Sequence, residues 1–396
     1  MNTHAIVSYE DRVQATDENG RMGEFIPIAA PVIGEFEIEC VTDAIRSGWV
    51  SSIGPYIEKF ETGFAEYIGV KHAISVSNGT TALHLALHAL GIGPGDEVII
   101  PDLTFAATAH AVMQTGATPV LVDVARDTWC MDPRAVARAV SPKTRAIMPV
   151  HLFGHPADMD AINAIASRHD LLVIEDAAEA HGAEVGGRKV GSLGKVGAFS
   201  FYGNKVITTG EGGMLTTDDD DLAARLRFLK DHGMSPDRRY FHTELAFNYR
   251  MTNLQAALGF AQLSQIETFI EKKRQILEWY KEGLGEVEGL ALNVQRTGYR
   301  NIFWMVSAVL DEHVTLSRDE MSTLLKSRGI DTRPFFVPMS ELPHLTKLRQ
   351  ITADGSDSSV SASVSRRGFS LPSGCALTRE QVQRVVESVR SLVTLR

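Results

Sequence analysis

Residues able to do chemistry gather where apolar runs stop. Lys205 lies in Gly197-Ala198-Phe199-Ser200-Phe201-Tyr202-Gly203-Asn204-Lys205-Val206-Ile207-Thr208-Thr209-Gly210-Glu211-Gly212-Gly213, an apolar strand followed by a short loop and a glycine- and threonine-rich turn. A lysine just past a buried strand, among small and hydroxylated neighbours, sits where desolvation lowers its pKa, as a nucleophilic or Schiff-base lysine requires. This stretch alone describes an ordinary surface lysine equally well. Asp176 closes the strongest apolar run, Leu171-Leu172-Val173-Ile174-Glu175-Asp176. A carboxylate there can hold a cationic ring nitrogen, or it can simply cap a helix. Ser77-Asn78-Gly79-Thr80-Thr81 stands between a strand and a helix, and reads either as an anion cradle or as a plain N-cap. Thr104-Phe105 follows a third strand and offers an aromatic face, although a core phenylalanine is the simpler reading.

The elements that must position these residues follow a strand–loop–helix rhythm from residue 70 onward. Apolar runs at Ala73-Ile74-Ser75-Val76, Glu97-Val98-Ile99-Ile100-Pro101, Thr118-Pro119-Val120-Leu121-Val122-Asp123 and Arg145-Ala146-Ile147-Met148 alternate with helix-forming segments. Such short, near-continuous runs predict a buried, mostly parallel sheet and an α/β fold. Met214-Leu215-Thr216-Thr217 is expected to return antiparallel on Ala198–Phe201. Leu254 to Glu282 reads as one long helix, Ile302–Leu310 as a strand, and Thr352–Ser363 as a mobile loop. Helices at Arg318–Ser327 and Thr378–Leu392 complete a smaller α+β part. Residues 1–25 are expected to form a flexible arm, 26–265 a large domain and 266–396 a small C-terminal domain.

Open parallel sheets bind ligands at the carboxyl ends of their strands. A phosphate-cradling loop, an aromatic, an aspartate and a lysine at such ends are together the parts needed to hold pyridoxal 5'-phosphate. The lysine forms the Schiff base, the aspartate keeps the pyridine nitrogen protonated so that the ring acts as an electron sink, and the helix start anchors the phosphate. Gly91-Ile92-Gly93-Pro94-Gly95 precedes a strand and carries proline, so it is a turn and not a dinucleotide fingerprint.

Bulk properties agree with an enzyme of small molecules. A net charge of -10 argues against nucleic acid or an anionic membrane as partner. No apolar run approaches a membrane span and no signal peptide is evident. Cys40, Cys130 and Cys375 are far apart, which suggests neither disulfides nor a metal site, and a cytoplasmic location is expected.

From about residue 26 to the C-terminus the chain resembles the DegT/DnrJ/EryC1/StrS sugar aminotransferases. The likeness rests on Val76-Ser77-Asn78-Gly79-Thr80-Thr81-Ala82-Leu83, Gly93-Pro94-Gly95-Asp96-Glu97-Val98-Ile99, Glu175-Asp176-Ala177-Ala178-Glu179-Ala180-His181-Gly182, Phe199-Ser200-Phe201, Lys205, Thr209-Gly210-Glu211-Gly212-Gly213 and Asn248-Tyr249-Arg250-Met251-Thr252. The resemblance implies a fold type I enzyme whose large domain has a mostly parallel seven-stranded sheet. It implies Lys205 as the Schiff-base and proton-transfer lysine and Asp176 at the pyridine nitrogen. Glu179 would lie near the ring hydroxyl, Phe105 would stack on the ring, and Gly79, Thr80, Thr81 and Ser200 would hold the phosphate. Asn248 would reach the phosphate of a neighbouring subunit, so a homodimer with shared sites is implied. Many members carry glutamine at the position of Glu179, and a carboxylate donates no hydrogen bond unless protonated.

L-glutamate is the donor the resemblance implies, and a keto sugar the acceptor. Ser47-Gly48-Trp49-Val50-Ser51-Ser52, Asp127-Thr128-Trp129, Met131-Asp132-Pro133 and His151-Leu152-Phe153-Gly154-His155-Pro156 are similar to the branch that aminates C4 of GDP-4-keto-6-deoxy-D-mannose to give GDP-perosamine. Relatives with similar loops act on other keto sugars, linked to UDP or dTDP, aminated at C3, or free eight-carbon sugar acids. Members that dehydrate sugars carry histidine for the lysine, and a non-catalytic regulatory member would lack the lysine. Arg333, Phe335, Phe336 and Arg366-Arg367-Gly368 are candidates for substrate contact, and equally for core or surface.

Overall fold

The computed structural model describes residues 14–16, 22–356 and 359–393. Much of the expected arm lies outside the described residues; within it, Gln14–Thr16 pairs antiparallel with Met22–Glu24. The large sheet holds β1 (His72–Val76), β2 (Glu97–Pro101), β3 (Thr118–Val122), β4 (Thr144–Ile147), β5 (Leu172–Asp176), β6 (Val196–Ser200) and β7 (Gly213–Thr217). A two-residue eighth strand, β8 (Gln350–Ile351), extends its edge, and the order is β8-β3-β2-β4-β5-β6-β7-β1. Neighbours are parallel except around β7, which runs antiparallel to both β6 and β1.

Both faces of this sheet are covered, which is why its strands show no polar–apolar alternation. Val98 and Ile100 point into one core cluster and Ile99 into the other, as successive residues of a strand must. One face packs on Gly79–Ala89, Ala107–Gln114 and Asp220–Lys230; Phe60 and Phe64 of Pro55–Ile68 close the other against Phe199 and Phe201. Each such fully buried side chain contributes about 1.5–3 kcal/mol relative to exposure.

A four-stranded antiparallel sheet (Leu290–Leu292, Val306–Leu310, Gly368–Leu371 and Arg333–Pro334) forms the C-terminal α+β part with helices Arg318–Ser327 and Arg379–Val393. Two buried carboxylates at strand ends bind its connecting segments to the large sheet. Asp102 accepts from the Ser340 amide at 2.8 Å and the Gln350 side chain at 2.8 Å, and burial pushes it up to about 6. Asp123 accepts from the Val360 amide at 2.7 Å and the Ser361 amide at 2.8 Å.

Three expectations need correction. The long helix is two, Asn253–Leu263 and Ile266–Leu284. At the break the Ser264 hydroxyl donates back to the Ala261 carbonyl, and buried Glu37 draws in the amides of Gln262 and Gln265 at 2.6 and 2.9 Å. Hydrophobic period carries across such a break, so it is invisible to pattern reading. The strand begins only at Val306, because Phe303 has a φ of 50° and turns the chain there. Residues 360–363 are not loop but the start of helix Val360–Arg367, capped by Ser359 and clamped by Asp123.

Candidate active site

The expected site residues converge at one end of the large sheet. Val76 pairs with Gly213 at the same end at which β5 finishes on Asp176 and β6 on Ser200. Helix Gly79–Ala89 begins there with Asn78 as N-cap, its Oδ1 accepting from the Thr81 amide at 2.8 Å. The Thr81 hydroxyl is engaged inside this cap, donating to the Asn78 carbonyl at 2.8 Å. Gly79 and half-buried Thr80 supply the first-turn N–H groups, which have no partner within the helix and lie at its positive end. Gly79 has ordinary backbone geometry, and its value is room: a Cβ would stand 2.7 Å from the Ser200 Cβ. Gly213 is equally tight, with a Cβ placed 2.5 Å from the Asn78 carbonyl oxygen. The loop is thus pressed against Ser200, whose oxygen accepts from the Tyr202 amide at 3.4 Å and for whose hydroxyl hydrogen no acceptor stands among the described residues. Gly79→Ala is expected to destabilise the protein by about 1–3 kcal/mol through this overpacking. Thermal unfolding of the ligand-free variant measures it, and an unchanged melting temperature would mean that loop and strand part freely.

Asp176 is buried at the end of β5. Its Oδ2 accepts from the Thr108 hydroxyl at 2.8 Å and its Oδ1 from the Ala178 amide at 3.2 Å. Burial pushes its carboxyl above the usual range, opposed by those two donors and by the charge of Lys205. Glu175, one residue earlier, points to the opposite face, where its carboxylate accepts the amides of Gly191, Leu193 and Gly194 at 2.7–2.8 Å. It also meets His151 Nε2 at 3.0 Å, and His151 Nδ1 accepts from Ala157 N–H, so Nε2 carries the proton. This saturated network fixes the end of β5 and hence the aim of Asp176.

Lys205 directs its amine into the same cleft, 3.4 Å from Glu179 Oε1 and 4.0 Å from the centre of the Trp304 ring. Only 11% of its side chain is exposed. Burial pushes the amine below the usual lysine range while Glu179 and Asp176 oppose the shift; burial likewise pushes Glu179 up. Both groups therefore move toward their neutral forms, the amine toward a nucleophile and the carboxyl toward a donor. Glu179 Oε2 accepts from the Phe153 amide at 2.9 Å, made possible by a φ of 52° at Phe153. Such left-handed backbone costs a non-glycine residue about 1 kcal/mol or more.

Phe105 is 60% exposed, its ring 5.8 Å from Phe336, which stacks on Phe153. Phe335 is a core residue, packed on Trp129 and Phe153. Arg366 pairs with Glu341 and Arg367 donates to the Asp311 carbonyl, outside this cleft. Asn248 is exposed and accepts from Arg250 at 3.0 Å; its own chain brings it to none of the other candidates. Trp304 and Thr108 were not singled out as site residues. Trp304 lies in an apolar run that reads as strand, and nothing in the local pattern distinguishes a ring that will lie over a lysine.

A buried amine 3.4 Å from a buried carboxylate, near a helix start pressed on a serine, is an arrangement in which a nucleophilic lysine can act in an α/β enzyme. Residues 31–390 match the DegT/DnrJ/EryC1/StrS aminotransferase family, and the chain belongs to it. It is 46% identical to a GDP-perosamine synthase of Caulobacter vibrioides over 92% of this chain and 97% of that one. A GDP-perosamine synthase of Vibrio cholerae is 42% identical, over 92% and 98%. Among solved structures, S. venezuelae DesV superposes with a TM-score of 0.84 at 38% identity, covering 91% of this chain and 95% of that one. Among the described residues no helix is long and apolar enough to cross a membrane.

Proposed function

We propose that this chain is a pyridoxal-phosphate-dependent aminotransferase carrying the amino group of L-glutamate to C4 of GDP-4-keto-6-deoxy-D-mannose, giving GDP-perosamine. The observation that carries the chemistry is the buried Lys205 amine among Glu179, Asp176 and Trp304. The sugar rests on relatives named GDP-perosamine synthase that match nearly the whole chain.

The residues present fit the cofactor. Asp176 would pair with the pyridine nitrogen and Glu179 would face the ring hydroxyl. Phe105 would cover a ring face, and Ser200 with the Gly79, Thr80 and Thr81 helix start would hold the phosphate. Pyridoxal 5'-phosphate supplies a conjugated ring that takes up the electron pair left when a substrate C–H bond is broken. Lys205 does the proton work: its amine accepts the proton from the donor carbon and returns it one position along, reversing this order for the sugar. Burial lowers its pKa and so favours the unprotonated amine that accepts that proton. Asp176, which accepts from the Thr108 hydroxyl, would be held ionised by a protonated ring nitrogen and would keep positive charge there.

A homodimer with shared sites completes the reading. Asn248 is exposed, as are the nearby Tyr240, Phe241 and Leu245, an apolar surface that a second copy would cover. Three unpaired cysteines support a cytoplasmic setting.

The substrate test incubates the loaded enzyme with L-glutamate and GDP-, UDP- and dTDP-linked keto sugars, following 2-oxoglutarate and identifying the product by NMR. A 4-amino sugar from the GDP substrate alone is expected, and turnover confined to another nucleotide would refute the assignment. For the dimer, mixing Lys205→Ala with Asn248→Ala subunits should regenerate intact sites. Half the dimers would be mixed, with one good site each, so activity rises toward about a quarter of wild type. No gain on mixing would argue that each site is built from one chain.

A further inference from the structure

Two left-handed residues set the two neighbours of the Lys205 amine. Phe153, at a φ of 52°, turns its amide onto Glu179 Oε2. Phe303, at a φ of 50°, bends the chain into Trp304, whose ring centre lies 4.0 Å from Lys205 Nζ. Backbone strain of this kind persists only where the surroundings over-determine it, and it gathers at functional sites. The surroundings of Trp304 do so. Its carbonyl accepts from the buried Lys273 amine at 3.0 Å, and its Nε1–H donates at 2.8 Å to the carbonyl of Asn204, the residue before Lys205. Gly154 leaves its backbone room to pass, since a Cβ there would stand 2.8 Å from the Trp304 nitrogen. The Phe153 and Trp304 rings lie 18° from parallel with their centres 6.5 Å apart. The indole is thus buried, held at its backbone and at its ring nitrogen, and tied to the loop whose lysine it covers.

The face of an aromatic ring attracts an ammonium far more than a neutral amine. We infer that Trp304 is a positioning residue for Lys205: its face holds the lysine as an ammonium in the interval between taking a proton from the donor carbon and returning it one position along. This rests on the aminotransferase reading above, in which the amine must be neutral to accept that proton and charged while it carries it. The proton passes from carbon to Nζ and from Nζ to the next position, and Trp304 gives and takes nothing. Other charges bear on the amine. Asp176 and Glu179 favour its ammonium form, and Arg333 opposes it. Arg333 faces the Asn204 side chain, 2.8 Å away with that amide turned to present its oxygen. Burial pushes His181 down to about 3, so that ring stays neutral. Glu179 is an imperfect partner for a proton carrier, because burial raises its carboxyl and fits it to take the very proton that Lys205 must hand on. The indole has no net charge and no competing basic site. It steadies the ammonium without bidding for the proton, and such a contact is stronger in a desolvated cleft than at a surface. An aliphatic side chain would fill the same space and offer the charge nothing.

Competitive acetylation of the full ligand-free chain across a range of pH, with the Lys205 peptide quantified by mass spectrometry, reads the pH at which the amine becomes free. Removing an attraction for the ammonium moves that midpoint down. Trp304→Leu is expected to lower it by about half to one pH unit, and Trp304→Phe, which keeps a weaker face, by less. The phenylalanine variant keeps the test readable if leucine does not fold. In the loaded enzyme, single turnover of L-glutamate should slow by roughly tenfold in Trp304→Leu with little change in KM, because the ring is lost to a charge that develops as the proton moves. Deuterium at the glutamate α-carbon should then slow the variant at least as much as wild type. A midpoint that stays or rises when the ring is removed, or a loss carried by KM with a smaller deuterium effect, would overturn the inference and leave Trp304 as packing. If wild type itself releases no 2-oxoglutarate from glutamate, the aminotransferase reading fails, while acetylation still decides whether the ring holds the ammonium.

Discussion

Lys205→Ala is expected to stop both half-reactions, with turnover lower by about 10⁴-fold or more, the upper end of what a positioned acid–base group contributes. Each half needs a proton taken from one position and delivered to another, and among the described residues the Lys205 amine is the one that faces both the Glu179 carboxylate and the Trp304 ring. The variant should also lose the long-wavelength absorption of the lysine-linked cofactor. Stability provides an independent check. Burial holds the folded amine below its ordinary pKa, so between that depressed value and the ordinary one the unfolded chain binds more protons here than the folded chain. This group's contribution to stability accordingly rises with pH across that window, and Lys205→Ala should flatten the rise. Single-turnover rates with glutamate, absorbance, and denaturant midpoints from neutral to alkaline pH measure the three effects. Near-normal turnover would remove Lys205 from the mechanism.

Asp176→Asn carries the second largest effect, a loss of about 10³-fold in kcat/KM. The amide is nearly isosteric and can still accept from the Thr108 hydroxyl, but it offers no charge to a cationic ring nitrogen. Stability should move the other way. Because burial raises the Asp176 carboxyl above its ordinary pKa, the ionised form costs the ligand-free fold near neutrality, and the neutral amide removes that cost. The ligand-free variant should therefore melt at or above the wild-type temperature while activity collapses. A merely structural aspartate would lose both together. Activity within tenfold of wild type would show that the carboxylate does not face the reacting ring.

Much of the site was legible in the sequence because strand ends announce themselves. Asp176, Ser200 and the Asn78-Gly79-Thr80 loop each follow an apolar run long enough to be a buried strand, and β1, β5 and β6 do deliver them to one end of one sheet. The return of β7 on β6 was readable from Met214-Leu215-Thr216-Thr217 for the same reason. What stayed hidden depends on side chains that meet across long separations. The break between Leu263 and Ile266 follows from Glu37, more than two hundred residues away, and the helix at Val360 follows from Asp123.

Lys205 shows where the division falls. Residue types and order by themselves determined that Lys205, Asp176 and a helix-start loop would share the carboxyl edge of a parallel sheet, because period and turn chemistry are local properties of the chain. Whether Lys205 is a surface residue or a buried amine was a question of environment, and only the tertiary structure decided it. Glu179 and Trp304 reach the lysine from separate segments, and burial in that neighbourhood, with the charge of Arg333, lowers its pKa against the opposing Glu179 carboxylate. Desolvation is a property of the assembled neighbourhood, so no local pattern around Lys205 could carry it.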